Sequence, residues 1–228
     1  MGLDIVQLGT DLMGDDPIKD IKKLITTRQP LVFDVGANLG QSVEWFRRHV
    51  PKSDIHSFEP SPSCFNLLQE NTARYAGVHV WNFAFGSVPG EMSFAENSSG
   101  DMSSFLELGT DGWGEIVRHT NVKVRTIDNF CAEQAISCID ILKIDTQGFD
   151  LEVLKGAERM IRDHGIRTVY LEIIFNDMYV NAPTISQIYD FMIAHGFVLV
   201  TFYPCRYQNR AACDVNALFA HKTVLICE

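Results

Sequence analysis

No apolar run in this 228-residue chain approaches the roughly 20 residues that a membrane-spanning helix needs. Positive charge is also scarce: 19 Lys and Arg stand against 29 Asp and Glu, a formal net charge of −10. The basic footprint that gains affinity for phosphate backbones by counterion release is therefore missing. Neither a membrane nor nucleic acid is the expected partner, and a small or neutral acceptor fits better. The six cysteines (Cys64, Cys131, Cys138, Cys205, Cys213, Cys227) include no CxxC pair and no neighbouring Cys/His set. Neither a zinc site nor a disulfide framework is therefore suggested, and buried reduced thiols are expected. Residues 1–16 lack a basic start and a sustained apolar stretch, and carry Asp4, Asp11, Asp15 and Asp16. A secretory leader is not expected, and a cytoplasmic location is.

What remains is an ordinary globular balance, 46% hydrophobic and 21% charged. No repeat, low-complexity tract or linker divides the chain, so one domain over 1–228 is expected. Asp16-Pro17 reads as an N-cap and first helical position, opening a helix through about Ile25 with Ile18, Ile21, Leu24 and Ile25 on one face. It is expected to pack on the sheet beside the ligand site, with 1–30 as an N-terminal helical cap. Strands and helices then alternate: strand 31–35, helix 41–50, strand 55–58, helix 62–75, strand 78–84. Glycines, prolines and serines punctuate 85–121, which reads as a hairpin followed by a mobile lid. Met102, Phe105 and Trp113 give that lid apolar area. Strands are expected again at 122–126 and 139–144, a helix at 151–164, a strand at 168–174 and a helix at 185–195. Strands 198–203 and 217–226 would close the chain as an antiparallel hairpin. The alternation argues for an α/β fold with a parallel sheet between helices.

The strand 31–35 runs into Asp34-Val35-Gly36-Ala37-Asn38-Leu39-Gly40 and then a helix, placing glycines at a strand's carboxyl end, where open α/β sheets bind ligands. Glycines there permit close backbone approach, and the free N–H groups at the helix start favour an anionic group. The next strand ends at Phe58-Glu59-Pro60. Glu59 lies 19 residues beyond Gly40, near the spacing at which an acid receives ribose hydroxyls. Loop and acid together imply a ribose-bearing cofactor. A dinucleotide would want G-x-G-x-x-G to admit pyrophosphate, but Asn38 occupies the middle glycine position.

The D-x-G-x-N-x-G form resembles motif I of class I methyltransferases. From about Leu31 to Phe219 the chain resembles FkbM-type methyltransferases, through FDVGANLG (33–40), FEPSPSCFNLL (58–68), VRTIDNF (124–130), IDILKIDTQGFDLEVLKGAE (139–158), YLEI (170–173) and ALF (217–219), in that order. The resemblance implies a Rossmann-like class I fold with a mostly parallel seven-stranded sheet and an antiparallel last strand. It also implies S-adenosylmethionine as donor and a hydroxyl on a sugar, polyketide or similar small metabolite as acceptor. By position, Asp34, Gly36, Asn38 and Gly40 would line the methionine side, Glu59 the ribose, and Phe83 and Ala84 the adenine. Gln147 stands where many relatives carry glutamate, as does Asp150, so no acidic role attaches to Gln147.

Methyl transfer from a sulfonium is an in-line displacement dominated by alignment, but a hydroxyl nucleophile must still lose a proton. Asp145, at the carboxyl end of strand 139–144, is the candidate base; its alternative is a structural acid at the Gly148 turn. Glu172 lies inside a strand, where an unpaired charge is costly, so a partner such as Lys143, a metal or the acceptor is expected. Asp145 and Glu172 could share a divalent cation, but no third ligand is evident and no metal is assigned. His119 follows the lid and is a further base candidate. His56 reads as structural, and His49, His79, His164, His195 and His221 as helix-end or exposed groups. Asn176, Tyr179 and Tyr203 are candidate acceptor contacts, and Asp128 could simply fix its turn. Two other readings stay open: a nicotinamide-dependent oxidoreductase, disfavoured by the loop, and a non-catalytic cofactor-binding module of the same fold.

Overall fold

A computed structural model describes residues 13–225; the expectations for residues 1–12, for Ile226 and for Cys227 lie outside that range. Helix α1 (Pro17–Leu24) starts where Asp16 accepts hydrogen bonds from the amides of Ile18 and Lys19. Strand β1 (Leu31–Val35), helix α2 (Gln41–His49), strand β2 (Asp54–Phe58) and helix α3 (Pro62–Thr72) follow. The expected strand 78–84 is split into β3 (Val78–Trp81) and β4 (Ala84–Phe85), which belong to different sheets. The break falls at Asn82, whose amide turns back to donate to the carbonyls of Glu59 and Pro60.

Strands β5 (Gly90–Asn97) and β6 (Ile116–Arg125) pair antiparallel. The covering segment 98–115 therefore lies inside the hairpin and not after it. It contains one 3-10 turn (Gly100–Met102) and is docked: Gly109 N donates to the Met178 carbonyl and Val180 N to the Glu107 carbonyl. Helix α4 (Ile127–Glu133) was not expected from the sequence; Thr126 caps it through Asn129 N. After β7 (Ile139–Ile144), the single helix expected over 151–164 is two, α5 (Asp150–Lys155) and α6 (Glu158–Arg162). They part at Gly156, where a Cβ would lie 2.2 Å from the Gly86 carbonyl oxygen, and Asp128 caps α6 by accepting from the amides of Arg159 and Met160. Strand β8 (Ile166–Ile174), helix α7 (Ile185–Ala194), strand β9 (Phe197–Phe202), the short β10 (Arg206–Gln208), strand β11 (Ala211–His221) and helix α8 (Lys222–Leu225) complete the chain.

The main sheet has eight strands, in the order β10-β11-β8-β7-β1-β2-β3 with β9 also on β11. The seven expected strands are present with β10 added, and β11 runs antiparallel to β8. Strands β4, β6 and β5 form a second, three-stranded sheet. Alternation along β1 sends Phe33 and Val35 into one core with residues of α4, α5, α6 and α7, and Val32 into the other with Ile18 and Ile21 of α1 and Val43 and Phe46 of α2. The layers are thus helix, sheet, helix. Among the described residues no helix is long and apolar enough to cross a membrane.

The turn after β1 fixes where a ligand can sit. Gly36 has φ +78°, and a Cβ there would meet the Asp145 carbonyl oxygen at 1.9 Å. Gly36→Ala is expected to destabilise the fold by roughly 3 kcal/mol or more, from a left-handed backbone and a clash with main chain that cannot yield. Gly90→Ala, where no atom lies within 4 Å of the added carbon, should stay within about 0.5 kcal/mol of wild type. Urea unfolding midpoints of the two variants check both.

Candidate active site

The carboxyl ends of β1, β2 and β7 converge on a cavity of about 680 Å³, its open mouth included. Val35, Gly36 and Asn38 form one wall, Phe58, Glu59 and Pro60 another, and Asp145, Thr146 and Gln147 a third. The rings of Phe85, Phe94 and Phe105 supply apolar surface, and Gly100, Asp101 and Ser103 of the docked segment complete the rim.

Glu59 organises the wall between loop and second strand. One carboxylate oxygen accepts from Asn38 N and the other from Ser61 N, both at 2.8 Å. Burial is the largest influence on this side chain and raises its pKa from 4.5 to about 7, against those two amides. A carboxylate has about four acceptor positions, so two remain for a ligand.

Beneath the loop, the buried Lys143 ammonium lies 3.0 Å from Asp34 and 3.5 Å from Asp145, and donates to the Gly36 carbonyl at 3.4 Å. Asp145 is 41% exposed on its side chain and accepts from the Gln147 amide at 2.8 Å. The same amide donates to Glu172 at 3.3 Å, and the Tyr179 hydroxyl donates to the side-chain Oε1 of Gln147 at 2.8 Å. Gln147 is therefore a bridge between two acids. Glu172, pushed upward by burial and then by Asp145 and Asp214, is paired with Arg206, which also binds Asp214. The cation it finds is thus Arg206, where Lys143 was the side chain expected. Asp150 is raised to about 7 by burial and then by Asp145.

Of the residues expected at the cofactor, Gly36, Asn38, Glu59 and Ala84 lie on the cavity wall. Asp34 does not; it is completely buried under the loop with Lys143. Gly40 is off the wall too, at φ +93°, where it lets α2 start close to Leu68 and Thr72. Phe83 is packed among Phe58, Phe85 and Phe130 with the Arg125 guanidinium over its ring. Asp145 and Glu172 are brought together through Gln147, but His119 is not: it is exposed on β6 beside Ser93 and absent from the cavity lining.

Asn176 binds Gln208, and Tyr203 donates to Asp20 and so ties α1 to the sheet; neither reaches the cavity. Tyr179 reaches it only through Gln147. Met102 is buried against Tyr179 as an anchor for the docked segment, Trp113 is at the surface, and Phe105 faces the cavity. No residue of α1 lines it, contrary to the placement expected for that helix. Cys64 was missed: it sits on the wall because Ser61 caps α3 through the Cys64 amide, inside the FEPSPSC word that could have signalled it. Asp145 also borders a second cleft of about 650 Å³, shared with Gln41, Ser42, Trp45, Lys143, Tyr170 and Asn216.

Residues 34–199 match the family model of the methyltransferase FkbM domain. The chain is similar to the 2-O-methyltransferase NoeI of Sinorhizobium fredii, 23% identical over 82% of this chain and 79% of that one. It is similar to the 31-O-demethyl-FK506 methyltransferase FkbM of Streptomyces tacrolimicus, 25% identical over 75% and 73%. It also resembles the hexuronic acid methyltransferase AglP of Haloferax volcanii, 24% identical over 64% and 57%. Among solved structures, the fibrillarin pre-rRNA processing protein of Methanococcus jannaschii superposes with a TM-score of 0.52 at 12% identity, covering 86% of this chain and 68% of that one. The TrmK of M. capricolum, in complex with S-adenosyl-homocysteine, gives 0.52 at 10% identity, covering 90% and 68%. At these identities the two structures speak for the fold.

The Arg206 guanidinium neutralises two buried acids while most of its own side chain faces solvent. Arg206→Ala should cost about 2 kcal/mol, less than for a fully buried pair because water can partly replace it. The raised pKa of Glu172 sets the sign with pH: below it the carboxyl holds a proton and needs the cation less, so the loss should shrink from about pH 8 to about pH 6. Urea unfolding of both proteins at the two pH values measures this.

Proposed function

This chain belongs to the FkbM family of methyltransferases, and on that premise we propose that it transfers the methyl group of S-adenosylmethionine to a hydroxyl oxygen of a small, polar metabolite. The observation that carries the site assignment is Glu59. It closes the second strand on the wall of the cavity, anchored to the glycine loop through Asn38 N and keeping free acceptor positions toward the interior. Those positions suit the two ribose hydroxyls. The rings of Phe85, Phe94 and Phe105 suit the adenine, and Gly36 and Asn38 the methionine portion. Cys64, beside Glu59, adds to the same wall.

S-adenosylmethionine supplies the electrophilic methyl on a positively charged sulfur. The chain's own part is alignment and proton removal. Asp145 borders both the cavity and the second cleft, so the acceptor is assigned to that cleft, where Trp45 and Tyr170, with ring centroids 6.4 Å apart, flank the polar Gln41, Ser42 and Asn216. With the methyl supplied by the bound donor, the proton lost by the acceptor hydroxyl would pass to the Asp145 carboxylate. Lys143 and the Gln147 amide hold that carboxylate in place. Glu172 is a positioning residue acting through Gln147. The 2-O-methyltransferase and hexuronic acid methyltransferase among the relatives support a hydroxylated acceptor of the sugar type.

Glu59 gives a pH signature. With a folded pKa near 7, it must lose a proton before it can accept both ribose hydroxyls. S-adenosylhomocysteine affinity should therefore rise about tenfold from about pH 6 to about pH 8, and become flat in Glu59→Gln. In the free protein the same shift favours folding below about pH 4.5, an advantage lost as pH rises through about 7. Calorimetric titration of both proteins decides; binding of NAD in place of S-adenosylhomocysteine would refute the reading. With any hydroxylated compound that accepts the methyl, Asp145→Asn should lower kcat about 100-fold and leave the S-adenosylhomocysteine Kd within about threefold.

A further inference from the structure

Away from the cavity, the amino-terminal ends of β2 and β3 bring together three side chains that methyl transfer does not use. Asp54 opens β2, and His56, two residues later, falls on the same face of the strand. Strand β3 runs parallel to β2 with His79 in register with His56. One ligand atom from each of Asp54, His56 and His79 lies within 4.8 Å of the others. His79 Nε2 is 3.1 Å from Asp54 Oδ1. Asp54 precedes Glu59 by five residues of extended chain, which puts this cluster on the order of 16 Å from the cofactor wall.

His56 makes the cluster more than a surface ion pair. Only 8% of the residue is exposed, and its Nδ1 is buried without a hydrogen-bond partner. Its ring stacks on Phe33 at 5.5 Å and Trp81 at 5.9 Å, with the edge of Phe130 at 6.0 Å. Such packing fixes the ring, as a ligand must be fixed. Asp54 and His79 are about half exposed, which leaves a route from solvent and room for water ligands. Arg47 donates to the carbonyls of Pro51, Ser53, Ala76 and Gly77 and so sets the chain leading into both strands.

We propose that Asp54, His56 and His79 form a binding site for one divalent transition-metal ion, with water completing the coordination. Two imidazoles and one carboxylate suit zinc and its borderline neighbours copper and nickel. Calcium and magnesium call for all-oxygen sets. Among the described residues this is the one group of three such side chains close enough to share an ion. Strand β3 lies at the sheet edge, and an ion bonded to both strands would clamp it to β2. The next residue after β3 is Asn82, which holds the Glu59 and Pro60 carbonyls, so the clamp would also steady the strand leading to the cofactor wall.

The test uses the full chain, stripped with a chelator and titrated with Zn²⁺ by calorimetry and with Co²⁺ by visible absorption. The wild type should bind one equivalent of Zn²⁺, melt at a higher temperature with it, and show Co²⁺ ligand-field bands without thiolate charge transfer. His79→Gln and Asp54→Asn change half-exposed groups, so both should fold, as the melting of the metal-free proteins will show. Each should weaken Zn²⁺ binding by at least about tenfold. His164→Gln, at the separate His164–His221 pair, should bind as the wild type does. Absence of stoichiometric binding by the wild type, affinity unchanged in both His79→Gln and Asp54→Asn, or a thiolate spectrum pointing to the cysteines would each overturn the proposal.

Discussion

One buried ammonium holds the reaction end of this molecule together. Lys143 Nζ sits between Asp34 at the end of β1, the carbonyl of Gly36 in the loop, and Asp145 beyond β7. Burial by itself would lower its pKa, but Asp34 and then Asp145 outweigh that and hold it above its usual value. Two segments distant in sequence, the end of β1 with its loop and the end of β7, are thus fixed by one cation. The loop can pass so close to Asp145 only because residue 36 has no side chain. The placing of the loop and of Asp145 follows from the same local charge balance, in a chain whose overall charge is strongly negative.

The same economy of positive charge recurs at the edges of the site. Arg206 serves both Glu172 and Asp214. Arg118 binds Glu96, which also accepts from Ser61, Ser63 and Thr120. Ser61 caps α3 and donates its amide to Glu59, so the Glu96 cluster ties the hairpin carrying the docked segment to the Glu59 corner of the cavity. Desolvation is the largest influence on Glu96, yet the hydrogen bonds from Arg118, Thr120 and the serines together bring its pKa to about 2. The cover over the cavity is positioned by polar contacts made when the chain folds, along with the apolar anchors Met102 and Phe105.

Much of this was legible in the sequence because its causes are local. Strands 31–35 and 139–144 are short, mostly apolar runs with turn signals at their ends, and Asp16-Pro17 is a self-contained start. Gly36, Asn38, Glu59 and Asp145 stand at strand ends, where topology alone directs them to one edge. What was not legible depends on distant neighbours. Asn82 breaks a strand to reach the carbonyls of Glu59 and Pro60. Gly156 breaks a helix because the Gly86 carbonyl passes beside it, and Asp128 caps a helix 31 residues away. Asp34 and Phe83 were expected at the cofactor but lie in a deeper layer, since side-chain direction depends on which partner each finds, Lys143 for one and the aromatic core for the other. His119 was a candidate through its place after the lid; with that segment inside the hairpin, the residue falls on the outer surface. Gln147, from which no acidic role could be read, is the bridge between the two acids.

The central claim is that the cofactor lies between the Gly36 loop and Glu59 with its reacting end at Asp145. A crystal structure with S-adenosylhomocysteine tests it most directly. The ribose hydroxyls should be found on the Glu59 carboxylate, the adenine among Phe85, Phe94 and Phe105, and the sulfur facing Asp145. A ligand bound elsewhere, or one that places its ribose away from Glu59, would contradict the account.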